Sequence, residues 1–226
     1  MNSVVQFPDP RKADDEGLIA VGGELSADFL ISAYSQGVFP WFNENDPILW
    51  WSPNPRMVLV PDELRLTKSL KQIVVGEKFE IRIDTCFRDV IEHCRIKDRP
   101  GQGGTWITIE MRNAYVELHR MGLAHSFEAF YNGELAGGLY GVSLGKAFFG
   151  ESMFFLEPNS SKFAFYHLVS WCRYFGYHFI DAQQPTSHLR SLGAKEMPRN
   201  EFLDKLSEAI KCPTMKGKWK VEEMKL

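Results

Sequence analysis

No run of eighteen apolar residues occurs in this 226-residue chain, so no segment can cross a bilayer as a helix. The opening, Met1-Asn2-Ser3-Val4-Val5-Gln6-Phe7-Pro8-Asp9, lacks both the basic start and the apolar core of a secretory signal, and a soluble, cytoplasmic protein is expected. Cys86, Cys94, Cys172 and Cys212 include no CxxC pair, which leaves neither a zinc site nor a disulfide framework and predicts free thiols. The six histidines show no HExxH or other ligand spacing. There is no Walker loop and no dinucleotide fingerprint, so an ATP-driven ligase and a redox enzyme are both disfavoured. The net charge of −3 argues against a nucleic-acid binder that works by bulk electrostatics.

What the chain does have is aromatic residues set between prolines. Gly37-Val38-Phe39-Pro40-Trp41-Phe42 is followed by Asp46-Pro47-Ile48-Leu49-Trp50-Trp51-Ser52-Pro53. A segment so broken by proline cannot be one continuous helix. Its rings supply either a rigid surface for a planar or apolar ligand, or a small aromatic core under a loop.

Ser26 is placed to cap a helix over residues 27–36, stopped by Gly37. Residues 56–61 read as a short strand ended by Pro61, with a helical stretch beginning near Asp62. The division between a small N-terminal α/β domain, residues 1–60, and the main domain, residues 61–226, is expected there. In the main domain residues 79–84 alternate as a strand, and Thr108 caps a helix over 109–121. A meander follows over residues 126–131, 134–143 and 146–149, turning at Asn132-Gly133 and Leu144-Gly145. A helix over 161–174 and a strand over 177–183 close the unit. The fold class expected is α+β with a mainly antiparallel central sheet, and the element order resembles the acyltransferase fold of N-acetyltransferases (GNAT-like).

Two groups at predicted strand ends carry candidate chemistry. One is Gly150-Glu151-Ser152-Met153-Phe154. The other is Asp181-Ala182-Gln183, where alternation sends Asp181 and Gln183 to one side and a carboxylate and an amide can jointly hold an amine. Against this, Asp181 can equally cap or salt-bridge a neighbouring element. His188, just past that strand, stands apart from the other histidines. A CoA-dependent enzyme needs a glycine-rich loop after its third meander strand, whose amides bind pyrophosphate. Residues 151–161 contain no glycine and carry Glu151 and Glu157, so CoA is an unsuitable donor.

At these residues the chain resembles the leucyl/phenylalanyl-tRNA-protein transferases, a bacterial aminoacyltransferase family. The matching blocks run in one order: residues 17–26, 37–41, 46–53, 104–108, 137–142, 149–154, Ser161-Lys162, 179–183 and 191–194. The resemblance implies transfer of Leu or Phe, less readily Met, from charged tRNA to an N-terminal Arg or Lys, which marks the acceptor for degradation. Ester aminolysis runs downhill, so the expected cofactor is none. The expected partners are Leu-tRNA or Phe-tRNA and acceptor proteins, with no membrane, and the expected state is a monomer. By the same resemblance Tyr34, Trp41 and Trp106 hold the tRNA 3′ adenosine, and Leu139, Phe148, Met153 and Ile180 line the pocket for the donor side chain. Glu151, Asp181 and Gln183 match the polar catalytic positions, with Asp181 orienting Gln183 and offsetting the acceptor's charge. Thr186 stands where the family pattern often has asparagine. Residues 68–82, rich in Lys and Arg, are a candidate for meeting the acceptor stem. Two other readings remain open, a related transferase with a different amine acceptor and a binding module without turnover.

Overall fold

The computed structural model describes residues 5–97 and 106–224; Gly104 and Thr105, in the block around Trp106, lie outside them. Two strands and a helix lead into the aromatic tract: β1 (Leu18–Val21), α1 (Ala27–Ser35) and β2 (Phe39–Pro40). Ser26 caps α1 as expected, its hydroxyl accepting from the Phe29 amide at 3.3 Å. The tract then folds back through β3 (Leu49–Trp51), which pairs antiparallel with both β1 and β2 to make a three-stranded sheet. The tract is part core and part exposed surface. Trp50 is fully buried against Phe7 and Phe29 and donates its indole N–H to the Gly22 carbonyl at 2.8 Å. Trp41 stays exposed, with its carbonyl taken by the Trp51 indole at 2.7 Å.

The next elements are β4 (Arg56–Leu59), α2 (Lys68–Val75), β5 (Glu80–Ile83), α3 (Phe87–Ile96) and α4 (Ile109–Arg120). The helix expected near Asp62 is only a three-residue 3₁₀ turn, Pro61–Glu63; α2 starts later, where Thr67 accepts from the Leu70 amide. The meander is β6 (Ala124–Tyr131), β7 (Glu134–Leu144) and β8 (Ala147–Phe155). Asn132 and Gly133 both take positive φ, 52° and 82°, as a type I′ turn requires. The chain ends with α5 (Ser160–Tyr174), β9 (Phe179–Gln183), α6 (Ser187–Ser191), β10 (Lys195–Met197) and α7 (Arg199–Ala209).

Seven strands form one sheet in the order β10-β4-β9-β8-β7-β6-β5, antiparallel throughout except for the parallel pair β8/β9. This is the mainly antiparallel α+β architecture expected. The anticipated division at residue 60 falls just after β4, whose partners β9 and β10 both lie in this large sheet. One face, with Phe127, Leu139, Phe148 and Ile180, packs under α5, α2 and Trp219 of the C-terminal segment. The other, with Tyr140, Val142, Phe149 and Phe179, packs under α1, α3, α4 and α7. Burial of each such large side chain contributes about 1.5–3 kcal/mol, so both faces are firmly covered.

The parallel pair sets the site. Its register runs Ala147↔Phe179, Phe148↔Ile180 and Phe149↔Asp181, and there it stops. Beyond Phe149, β8 continues to Phe155 against β7 alone, while β9 runs on to Gln183 beside β4. Residues 150–155 and 182–183 therefore face a gap between parted strands.

Candidate active site at the parting of strands 8 and 9

Glu151, Ser152 and Met153 were expected just past the end of the third meander strand. They lie inside it, because β8 keeps its pairing with β7 after losing β9. Glu151 is thereby held rigidly in the gap, and its carboxylate accepts three hydrogen bonds. The Tyr34 hydroxyl donates to Oε1 at 2.7 Å, Gln183 Nε2 to Oε1 at 2.8 Å and the Tyr115 hydroxyl to Oε2 at 3.0 Å. The two tyrosine hydroxyls also lie against each other. Burial raises both phenols well above their ordinary pKa, so they stay neutral donors.

Burial likewise lifts Glu151, against the pull of the three donors, to a pKa of about 7. A negative neighbour, Asp181, pushes in the same direction as burial. Glu151 is thus a carboxylate poised to exchange a proton near neutral pH.

Of the two readings of Asp181, the structure shows the salt bridge to a neighbouring element. Asp181 is fully buried, and both of its oxygens are taken by Arg56, Nε to Oδ1 at 2.9 Å and Nη2 to Oδ2 at 2.6 Å. Oδ1 also accepts the backbone N–H of Gln183 at 2.8 Å. Orienting Gln183 fits this geometry. Offsetting an acceptor's charge does not, since Arg56 already does so for Asp181. Gln183 ends β9 at φ +63°, which breaks strict alternation, so its side chain meets Glu151 while that of Asp181 meets Arg56.

Two cavities meet here. A polar cleft of about 220 Å³ is lined by Phe39, Pro40, Trp41, Trp106, Gln183 and Gln184, together with Glu151, Ser152, Ala182 and Thr186. An apolar cavity of about 340 Å³ lies between the sheet and α5, formed chiefly by Leu139, Met153, Ile180, Phe165, Leu168 and Leu189. Glu151, Ser152, Ala182 and Thr186 line both, so the cavities join where the strands part.

Of the expected substrate-binding residues, Trp41 and Trp106 line the cleft, and Leu139, Met153 and Ile180 line the apolar cavity. Two are elsewhere. Tyr34 is fully buried, with its ring on Phe149 at 4.9 Å between centroids and its hydroxyl on Glu151, so it offers no face to an adenine. Phe148 is fully buried behind the cavity wall, with Trp219 6.3 Å away between ring centroids. His188 sits at the rim of the apolar cavity, where partial desolvation and then Lys162 keep its pKa below the usual imidazole value.

Sequence reading missed Tyr115 and Arg56, and gave Ala182, within the Asp181-Ala182-Gln183 group, no role of its own. Tyr115 looks like any apolar-face residue of α4, and Arg56 like the polar start of a strand. Within residues 68–82, Lys78 is ion-paired with Glu157 at 3.1 Å and Arg82 with Glu80 at 2.7 Å, while Lys68 and Lys71 lie on α2.

The fold and site together define an α+β protein whose single parallel strand pair parts around a buried carboxylate, where a polar cleft joins an apolar cavity. The family model for "Leucyl/phenylalanyl-tRNA protein transferase" matches residues 58–207, and that for its N-terminal domain matches residues 23–54. The leucyl/phenylalanyl-tRNA–protein transferase of Anaeromyxobacter dehalogenans is 52% identical over 96% of this chain and 93% of its own length. That of Maridesulfovibrio salexigens is 52% identical over 96% and 91%. A looser likeness, with 15% identity and a TM-score of 0.37, is to a GCN5-related N-acetyltransferase-like protein from Streptococcus suis, covering 84% of each chain. The chain belongs to the leucyl/phenylalanyl-tRNA–protein transferase family. It is an aminoacyltransferase, moving an amino acid from tRNA to protein. Among the described residues no helix is long and apolar enough to cross a membrane.

Proposed function

We propose that this enzyme transfers leucine or phenylalanine, and less readily methionine, from charged tRNA to the N-terminal arginine or lysine of acceptor proteins. The new N-terminus then marks the acceptor for degradation. The observation that carries the reading is the joined pair of cavities. An aminoacyl ester laid across them puts its adenosine beside Trp41 and Trp106, its ester at Glu151 and Ala182, and its side chain among Leu139, Met153 and Ile180. Purely apolar contacts there discriminate by only about 1–3 kcal/mol per methylene, which fits tolerance of Leu, Phe and Met together.

Because a carboxylate only accepts, the Gln183 amide must turn its NH₂ to Glu151, which leaves Oε1 as the acceptor for an incoming amine. The acceptor's neutral α-amine attacks the ester carbonyl: a C–N bond forms, the C–O bond to the ribose breaks, and the ribose oxygen departs with the proton that the attacking nitrogen loses, passed on through Glu151. Glu151, with its pKa of about 7, takes the proton that the amine sheds. The acceptor's α-ammonium, of pKa roughly 8, reaches the neutral form needed for attack at little cost. Alignment of the two reactants supplies the remainder of the acceleration.

Label transfer tests the reading. With tRNA carrying labelled leucine and peptides differing only in an N-terminal Arg, Lys or Ala, and without ATP or CoA, label is expected on the Arg and Lys peptides alone. Label on none of them, with charged tRNA still bound, would favour the binding module.

Two further results are expected. Trp41→Ala and Trp106→Ala each raise KM for charged tRNA by about 10- to 100-fold with little change in kcat, because stacking contributes about 1–3 kcal/mol per base. Tyr34→Phe removes a donor that lowers the pKa of Glu151, so the carboxyl titrates higher and the pH at half-maximal rate moves upward. A downward shift in the pH–rate profile would contradict that role.

A further inference from the structure

Arg56 opens β4, is fully buried, and uses its guanidinium on every side. Besides the two bonds to Asp181, Nη1 donates to the Gly37 carbonyl at 3.2 Å. The planar group lies over the Phe39 ring at 4.8 Å and the Phe202 ring of α7 at 4.5 Å. These contacts lead to opposite walls of the polar cleft. Through Asp181 the guanidinium reaches the Gln183 N–H, and so the left-handed residue whose amide meets Glu151. Through Gly37 and Phe39 it reaches the segment that continues into Pro40 and Trp41 of the aromatic wall. Gly37 has φ +75°, and a Cβ there would stand 2.4 Å from Leu203 Cδ2, so this carbonyl has little freedom to be presented otherwise.

We infer that Arg56 is a positioning residue for transfer, its guanidinium setting the spacing between the aromatic wall and the strand end that presents Gln183. The inference rests on the cleft at Glu151 and Gln183 being the reaction site. Geometry of this kind suits arginine alone: a flat fork can pair bidentately, reach a third acceptor and stack on rings, whereas lysine offers a single point charge. Misplacement of reacting groups by about 1 Å is enough to cost on the order of 100-fold in rate.

A bland account is available, in which Arg56 only neutralises Asp181 so that the core can close. The two accounts separate on a paired substitution. Replacing both members of a buried ion pair by neutral groups removes the uncompensated charge that makes single losses so damaging. Arg56→Met/Asp181→Asn is therefore expected to melt closer to the parent than Arg56→Met alone, yet to keep kcat depressed by about 100-fold. Arg56→Lys, which retains the charge and the fold, is expected to lose about 10-fold in kcat with a smaller rise in KM for charged tRNA. Parental kcat in either folded variant would overturn the inference. Glu151→Gln, measured alongside, separates the two failures. Full activity in that variant would overturn the reading of the cleft itself, whereas its loss beside an unaffected Arg56→Lys would overturn only the role of Arg56.

Discussion

Glu151→Gln is expected to lower single-turnover transfer by about 100- to 10,000-fold and, above pH 7, to melt at a higher temperature than the parent. Both effects come from one cause. Burial holds Glu151 at about 7 in the folded protein against an ordinary 4.5, so the folded state binds this proton more tightly than the unfolded chain does. Raising the pH removes the proton at a cost to folding, which sets in above 4.5 and is complete above 7. The difference amounts to at most about 3 kcal/mol. Glutamine is spared that cost, while its amide oxygen can still accept from Tyr34 and its NH₂ can face Tyr115. The melting-temperature gap between variant and parent should therefore open from pH 5 to 7 and then level. A gap that closes as the pH rises would contradict the proposed state of the carboxyl. Such a trade of stability for a poised group is common at functional sites.

Ala182→Leu is expected to abolish measurable transfer of both leucine and phenylalanine, a loss of more than about 100-fold, with little change in melting temperature. Ala182 lines both cavities where they join, so added methyl groups enter space meant for the ester rather than the packed core. Kinetics with the two charged tRNAs, alongside a thermal melt, check this. Retained transfer of leucine would place the ester somewhere other than the junction.

Local rules carried much of the fold into the sequence. Ser26, Thr108 and Asn132-Gly133 each act through neighbours within three residues, and each does in the structure what its chemistry predicts. The length of β8 was hidden because its pairing changes from two neighbours to one at Phe149, a long-range event with no local mark. The same holds for the site. Glu151 and Gln183 could be found from motif resemblance, and the structure joins them by a hydrogen bond. Burial sets the proton affinity of Glu151, and the tyrosines that hold it, Tyr34 and Tyr115, come from 117 and 36 positions away. Arg56 and Asp181, 125 positions apart, meet only because β4 lies beside β9. Resemblance alone puts Tyr34 at the 3′ adenosine, whereas packing buries its ring and turns its hydroxyl to Glu151.

The most direct test of the account is a structure with a stable analogue in which leucine is joined to the adenosine 3′ position through an amide. The isobutyl group is expected among Leu139, Met153 and Ile180, the amide carbonyl beside Ala182 and Glu151, and the adenine against Trp41 and Trp106. An isobutyl group lodged beside the tryptophans, with the cavity under α5 left empty, would contradict it.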